Sequence, residues 1–267
     1  MQFSLLSKGL KVAFRKENIL NKIKEFLEGI FCKIPKSYAL FRRVFGSTDW
    51  EKQTFLKVIH SGFSIVEIGA NQGYYTSLFQ KLVGKNGTIH AFEPLPTTFE
   101  LLKGSVRFDL PNIHLYNLGT FDTKGEFKFH LPKNDHGQAT MSPHDCNSWK
   151  SREIKEVACS VIKLDEFTPI SSLAKIDFIK IDVEGAELPS LQGAEHILRK
   201  HKPLLFVEVC KAWIKSFHYT LKEMDTFLTS LGYTNFKVVD STPFTIKSIE
   251  SFIQNKGDEK SFNLLIS

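Results

Sequence analysis

Three short strings in this sequence carry residues whose types and spacing suit ligand chemistry. The first is Glu67-Ile68-Gly69-Ala70-Asn71-Gln72-Gly73-Tyr74-Tyr75-Thr76, which runs from a strand-like apolar stretch straight into a helix-like one. Gly69 and Gly73 let the backbone turn sharply and approach a ligand closely. A dinucleotide fingerprint needs Gly-x-Gly-x-x-Gly; here Asn71 stands at the middle glycine and Tyr74 at the last. The turn therefore suits a pyrophosphate poorly. Glu67 would repel a phosphate and favours a cationic ligand. Taken alone, a plain tight turn explains this string about as well.

The second string, Thr88-Ile89-His90-Ala91-Phe92-Glu93-Pro94, ends in a carboxylate 20 residues after Gly73. An acidic residue closing the second strand of a nucleotide-binding sheet can accept both hydroxyls of a ribose. The third, Lys180-Ile181-Asp182-Val183-Glu184-Gly185-Ala186-Glu187, puts three carboxylates at a strand end and the turn after it. Glu208, on the apolar run Leu204–Val209, points to the same rim. A carboxylate within a buried strand is costly unless it is paired or functional.

The elements that must position these residues follow from periodicity. Ser64–Ala70, Thr88–Glu93, Ile113–Leu118, Asp177–Val183 and Leu204–Val209 are short, nearly continuous apolar runs. Such strands belong in a parallel sheet covered by helices on both faces. Helical spacing between them predicts helices over Tyr74–Val83, Thr97–Phe108, Glu187–Lys200 and Leu221–Leu231, with strand-like Phe236–Val239 and Asn263–Ile266 near the end. Nearly 60 residues separate Leu118 from Asp177 without a long helix. Glu126–Leu131 and Val157–Leu164 read as strands flanking a polar stretch, Pro132–Glu156, of the kind that forms a lid or substrate loop.

The 267 residues are 42% hydrophobic and 24% charged, which excludes a disordered, collagen-like or coiled-coil chain. No apolar run reaches the ~20 residues of a membrane span, and Lys8, Lys11 and Arg15 interrupt the start, unlike a secretory signal. Cys32, Cys146, Cys159 and Cys210 form no Cys-x-x-Cys pair and suggest packing in a reducing, cytoplasmic setting. The net charge of +6 is uneven: residues 1–45 hold ten Lys/Arg against Glu17, Glu25 and Glu28. Ile19, Leu20, Ile23, Phe26, Leu27, Ile30 and Phe31 give this basic segment an amphipathic helical pattern. It would pack on the main domain, form a homodimer contact or rest on a membrane surface. The remaining residues are nearly neutral, which argues against nucleic acid as a partner.

Together, Glu67–Thr76, Ala91–Pro94, Asp177–Glu187 and Phe206–Val209 resemble the FkbM family of S-adenosylmethionine-dependent methyltransferases, over roughly residues 50–267. The resemblance implies an α/β, Rossmann-like class I methyltransferase fold. To a mostly parallel sheet of that kind the residue pattern itself adds the β-rich insertion and, outside the resemblance, a basic helical N-terminal extension, residues 1–49. The resemblance also implies methylation of a hydroxyl on a sugar, glycan or other natural product. The string departs in one place: Glu67 stands where the family more often has Asp. On this reading Gly69, Asn71 and Gly73 line the methionine and ribose of S-adenosyl-L-methionine, with Glu67 at its positive end. Glu93 takes the ribose hydroxyls, Asn117-Leu118-Gly119 flanks adenine, and Tyr74 or Tyr75 faces the sulfonium.

Asp182 would sit near the amino acid or the transferring methyl. Asp182 and Glu208 lead the candidates for the base that deprotonates the acceptor, ahead of Glu184 and His136. No metal ligand is assigned, although Asp182, Glu184 and Glu208 have the alternative of holding a divalent cation that acidifies the acceptor. Two further readings stand beside the enzyme: a methyltransferase-like binding scaffold, and an NAD-dependent oxidoreductase, which the broken fingerprint and Glu67 disfavour. A base-nitrogen methylating enzyme would need an Asn/Asp-Pro-Pro-aromatic string, which Asp182-Val183-Glu184-Gly185 is not.

Overall fold

A computed structural model describes residues 49–106, 112–132, 139–143, 149 and 153–267. His136, most of the Pro132–Glu156 stretch, the residue 19–31 helix, Cys32 and Cys146 lie outside them. The chain divides into two compact units, Met1–Val58 and Ile59–Ser267. The described part of the first is a helix, Trp50–Val58 (α1). Among the described residues no helix is long and apolar enough to cross a membrane.

The second unit is built on an eight-stranded sheet. β1 (Ser64–Ile68), β2 (Thr88–Phe92) and β3 (Ile113–Tyr116) run parallel from the centre to one edge. β4 (Gly119–Thr120), β5 (Gly125–Pro132) and β6 (Ile154–Ile162) leave it to form a separate three-stranded sheet, order β4-β6-β5. β7 (Phe178–Ile181) and β8 (Leu204–Cys210) return to the main sheet, parallel to β1. β9 (Phe236–Val238), β10 (Phe244–Ile246) and β11 (Ser261–Ile266) complete it in the order β10-β9-β11-β8-β7-β1-β2-β3. β11 is antiparallel to both β8 and β9. The continuous apolar runs therefore sit where both faces are covered: four of five residues in β1 and β2, and all four in β7, are buried.

Helices Tyr74–Val83 (α2) and Pro96–Ser105 (α3) follow β1 and β2, as their spacing predicts. Thr168–Ser171 (α4) precedes β7. The predicted single helix from Glu187 to Lys200 is two helices, Glu187–Gln192 (α5) and Glu195–His201 (α6). The break is fixed from outside: the Asp165 carboxylate accepts the His196 and Ile197 amides at 2.9 and 3.0 Å, and the Asp165 amide donates to Gly193 O at 2.9 Å. This capping starts a new helix where periodicity alone continues the old one. Lys211–Ser216 (α7) leads to Leu221–Ser230 (α8), whose Thr220 and Glu223 form a reciprocal capping box. Ile249–Ile253 (α9) is capped in turn by Asp225 of α8, at 2.8 Å from both the Ile249 and Glu250 amides.

The main core joins β1, β7, β8 and β11 to α5, α6 and α8 through Val66, Ile179, Val207, Leu191, Leu198 and Met224, among others. A second cluster, Leu95, Phe129, Leu131, Cys159 and Val161, fixes the small sheet above the end of β2. That sheet is the β-rich insertion, with β4 added to the two strands the sequence reveals.

Candidate active site

The three motif strings end on adjacent parallel strands, so their turns meet at the carboxyl edge of the sheet. Gly69 has φ +81°, and a Cβ built there would lie 1.9 Å from Asp182 O. Only glycine lets the end of β1 lie so close to the end of β7. The amides of Gly69 and Ala70 donate to Phe92 O at 3.1 and 2.9 Å, and the Asp182 amide donates to Ile68 O at 3.2 Å. All three strand ends are thereby locked together.

A cleft of about 460 Å³ opens over this junction; Gly69, Asn71, Glu93, Asp182, Glu184 and Glu208 are among its walls. Glu93 is buried and receives two backbone amides, Asn71 N at 3.0 Å and Leu95 N at 2.9 Å. Asn71 itself is held at φ +49°, and its Oδ1 is buried with no hydrogen-bond partner among the described residues. An orphaned acceptor beside a carboxylate invites a ligand that brings hydroxyl or ammonium donors. Beside the cleft lies a narrow apolar slot walled by Phe92, Pro94, Leu118, Phe129, Met141 and Val183, among others. A further recess of about 250 Å³ is lined by Glu67, Gly69, Asn71, Tyr74, Lys180 and Asp182, among others.

Of the residues singled out in the sequence, His136 lies outside the described ones, and the others stand at different distances from these cavities. Glu67, 1% exposed, lies beneath the turn and accepts from Thr76 Oγ1 at 2.6 Å. Gly73 stands back from the cleft: a Cβ there would meet Ser105 Oγ at 1.9 Å and Leu102 Cδ1 at 2.7 Å, so it serves the contact between α2 and α3. Tyr74 is 59% exposed at the recess, packed edge-on against Tyr75. Asn117 does not wall these cavities; its Nδ2 donates to Glu93 O at 2.8 Å and Pro94 O at 2.9 Å, tying the β3 end to the β2 end. Leu118 and Gly119 line the slot instead.

The residue that sequence reasoning left without a role is Lys180. Its side chain is 2% exposed, and its Nζ donates to Asp182 Oδ2 at 2.9 Å and lies 5.4 Å from the centre of the Tyr75 ring. Lys180 pairs with Glu67 in the β1–β7 register and with Phe206 of β8, placing Glu67, Lys180, Asp182 and Glu208 on one face of the sheet. A lysine within an otherwise apolar buried strand was the available signal. Trp213 on α7, and Glu259 and Ser261 near β11, also wall the cleft, but nothing in their local sequence announces it.

The electrostatics follow from burial. Burial raises Glu67 to about 7 against the pull of Lys180 and the Thr76 hydrogen bond. Burial likewise raises Glu93 to about 7 against its two amides. Burial also works to raise Asp182, but the Lys180 charge and hydrogen bonds from Glu208 and Lys180 outweigh it, and the carboxyl lies below its ordinary value. Glu208 moves the other way, well upward, through burial and then the charges of Asp182 and Glu184. The two neighbouring carboxyls are thus pushed in opposite directions, Glu208 up and Asp182 down, and titrate as a pair. Oxygens of Asp182, Glu184 and Glu208 lie within 4.8 Å of one another.

The strand order, the antiparallel β11 and the glycine turn facing an acidic β2 end define a Rossmann-like class I methyltransferase fold. Residues 67–234 match the Methyltransferase FkbM domain, and the chain belongs to that family of S-adenosylmethionine-dependent methyltransferases. It is 31% identical over 151 residues to Methyltransferase 1 of Beauveria bassiana, covering 49% of this chain and 58% of that protein. It is 27% identical over 174 residues to Methyltransferase sdnD of Sordaria araneosa, covering 56% of this chain and 66% of that protein. The matched segments thus span less than two thirds of either relative. The solved FkbM methyltransferase of Methylobacillus flagellatus KT is 17% identical, with a TM-score of 0.46, over 82% of this chain and 55% of that one.

Proposed function

We propose that this chain methylates a hydroxyl of a sugar, glycan or other natural product, using S-adenosylmethionine. The observation that carries the reading is the convergence of Gly69, the buried orphan acceptor Asn71 Oδ1, Glu93 and the Asp182–Glu208 pair on one cleft. S-adenosylmethionine supplies an electrophilic methyl on a cationic sulfur. Asn71 and Glu93 would bind its donor groups, Glu93 the ribose hydroxyls, and the apolar slot would take adenine. Glu67, Tyr74 and Asp182 would face the amino acid and the positive end across the recess. Asp182, whose carboxyl the Lys180 ammonium holds below its ordinary value, is the group we assign to accept the acceptor's proton, with Glu208 beside it. A positioned base of this kind contributes about 10²–10⁴-fold.

The same reading takes residues 50–267 as the methyltransferase domain and 1–49 as a basic extension that contacts a membrane surface or a second copy. The near-neutral remainder favours a hydroxylated small molecule or glycan over nucleic acid, and the dispersed cysteines favour the cytoplasm. Calorimetric titration with S-adenosylmethionine tests the cofactor site. We expect binding that weakens at least about tenfold in Glu93→Ala, from the loss of hydrogen bonds to a charged group. Release of S-adenosylhomocysteine against a panel of hydroxylated glycosides then seeks the acceptor. A folded natural chain that does not bind the cofactor refutes the proposal.

A further inference from the structure

Glu187 closes the third motif, yet it is fully buried and walls none of the cavities described above. Its Oε1 accepts the Val183 amide at 3.2 Å and the Gly185 amide at 3.1 Å, and its Oε2 lies 3.5 Å from the Tyr219 hydroxyl. The turn so held is unusual. Glu184 has φ +55° and Gly185 φ +107°, and both are left-handed. A glutamate does not favour that region unless its surroundings impose it.

Those surroundings are specific. From the insertion, Thr140 Oγ1 donates to Glu184 O at 3.0 Å. On the far side, a Cβ at Gly185 would approach the Phe217 ring at 2.8 Å and Trp213 O at 2.9 Å, so the turn is pressed against the end of α7. The turn begins at Asp182 and presents Val183 and Glu184 to the cleft, with Val183 also in the apolar slot.

We propose that Glu187 is the positioning residue of this site: by gathering the Val183 and Gly185 amides on one carboxylate, it holds the turn that sets Val183 and Glu184 against bound S-adenosylmethionine. The inference rests on the cofactor reading above. Glutamine keeps an acceptor oxygen at the same reach and preserves the turn. Leucine fills the space but leaves both amides unpaired, and aspartate is one carbon too short to reach them.

The test is calorimetric binding of S-adenosylmethionine to the full chain, with thermal midpoints measured alongside. Glu187→Leu and Glu187→Asp are expected to weaken binding at least about tenfold, the fold-change expected when two buried amides lose their acceptor. Glu187→Gln should stay within about threefold of the natural chain, since its amide oxygen accepts the same bonds. Met224→Ala, a core truncation in α8 that removes none of the turn's hydrogen bonds, should lower the midpoint without altering affinity and so separates positioning from general stability. Should Glu187→Leu not fold, Glu187→Asp carries the comparison. Natural-like affinity in a folded Leu or Asp variant, or an equal loss in Glu187→Gln or Met224→Ala, overturns the role of Glu187. Absence of binding by the natural chain overturns the cofactor reading instead, and this inference with it.

Discussion

Replacing Gly69 by alanine isolates the contact on which the site depends. Gly62 provides the control, because both glycines have positive φ, +81° and +87°. Each alanine therefore carries a backbone cost of roughly 1–2 kcal/mol. There the likeness ends. A Cβ at Gly62 meets nothing within 4 Å, whereas at Gly69 it lies 1.9 Å from Asp182 O and 2.9 Å from its carbonyl carbon. Ordinary C···O contacts begin near 3.3 Å, so the ends of β1 and β7 must part by more than about 1 Å.

That parting strains the 3.2 Å bond from the Asp182 amide to Ile68 O and the 3.1 Å bond from the Gly69 amide to Phe92 O. Overpacking adds roughly 1–3 kcal/mol, and a weakened hydrogen bond about 1 kcal/mol. Gly69→Ala should thus cost roughly 3–6 kcal/mol against roughly 1–2 for Gly62→Ala. The excess over Gly62→Ala is about 2–4 kcal/mol, and at about 2–4 °C per kcal/mol for a chain of this size the two melting midpoints should differ by roughly 4–16 °C. The displacement also moves Asp182 relative to Asn71 and Glu93, and a 1 Å error in a positioned site can cost about 10²-fold in rate. Urea unfolding and calorimetric titration of S-adenosylmethionine on both variants measure the two effects. If Gly69→Ala is no less stable than Gly62→Ala and binds the cofactor equally, the strand-end contact is not what builds the site.

Two further outcomes follow from the buried charges. Glu67, Glu93 and Glu187 are each raised from 4.5 to about 7, chiefly by burial. Between those values these three groups bind more protons in the folded chain than in the unfolded one. They outweigh the single buried His90, lowered to about 4 and acting the other way, so stability falls as pH rises from about 4.5 to about 7. The urea midpoint of the unliganded protein should be higher at pH 5 than at pH 8, and Glu67→Gln should flatten the difference; a higher midpoint at pH 8 contradicts the burial account. Lys180→Met leaves Asp182 without its cation. It should cost about 2–4 kcal/mol, less than a fully buried pair because 33% of the Asp182 side chain is open to the cleft. Lys180→Arg should lose less, and equal losses in urea unfolding would show that charge is not the cause.

The sequence carries the parallel strands openly, because burial on both faces demands continuous apolar runs, as in Ser64–Ile68 and Phe178–Ile181. It marks the turns equally well, since the close approach at Gly69 accepts no other residue. The break between α5 and α6 was hidden. Asp165, which imposes it, lies about thirty residues upstream and caps only once the chain has folded back.

Residue types and spacing by themselves determine that Glu67, Gly69, Glu93 and Asp182 close neighbouring strands at the ligand-binding edge, because strand polarity follows from the alternation of strand and helix. Only the tertiary structure decides how those residues act. It sets Lys180 beside Asp182 and Glu208 against it, turns Asn117 into a tie between strand ends, brings Trp213 and Glu259 to the cleft, and places Glu187 under the turn. The physical reason is that charge state and hydrogen bonding depend on neighbours from other strands and on burial, and neither is a property of local sequence.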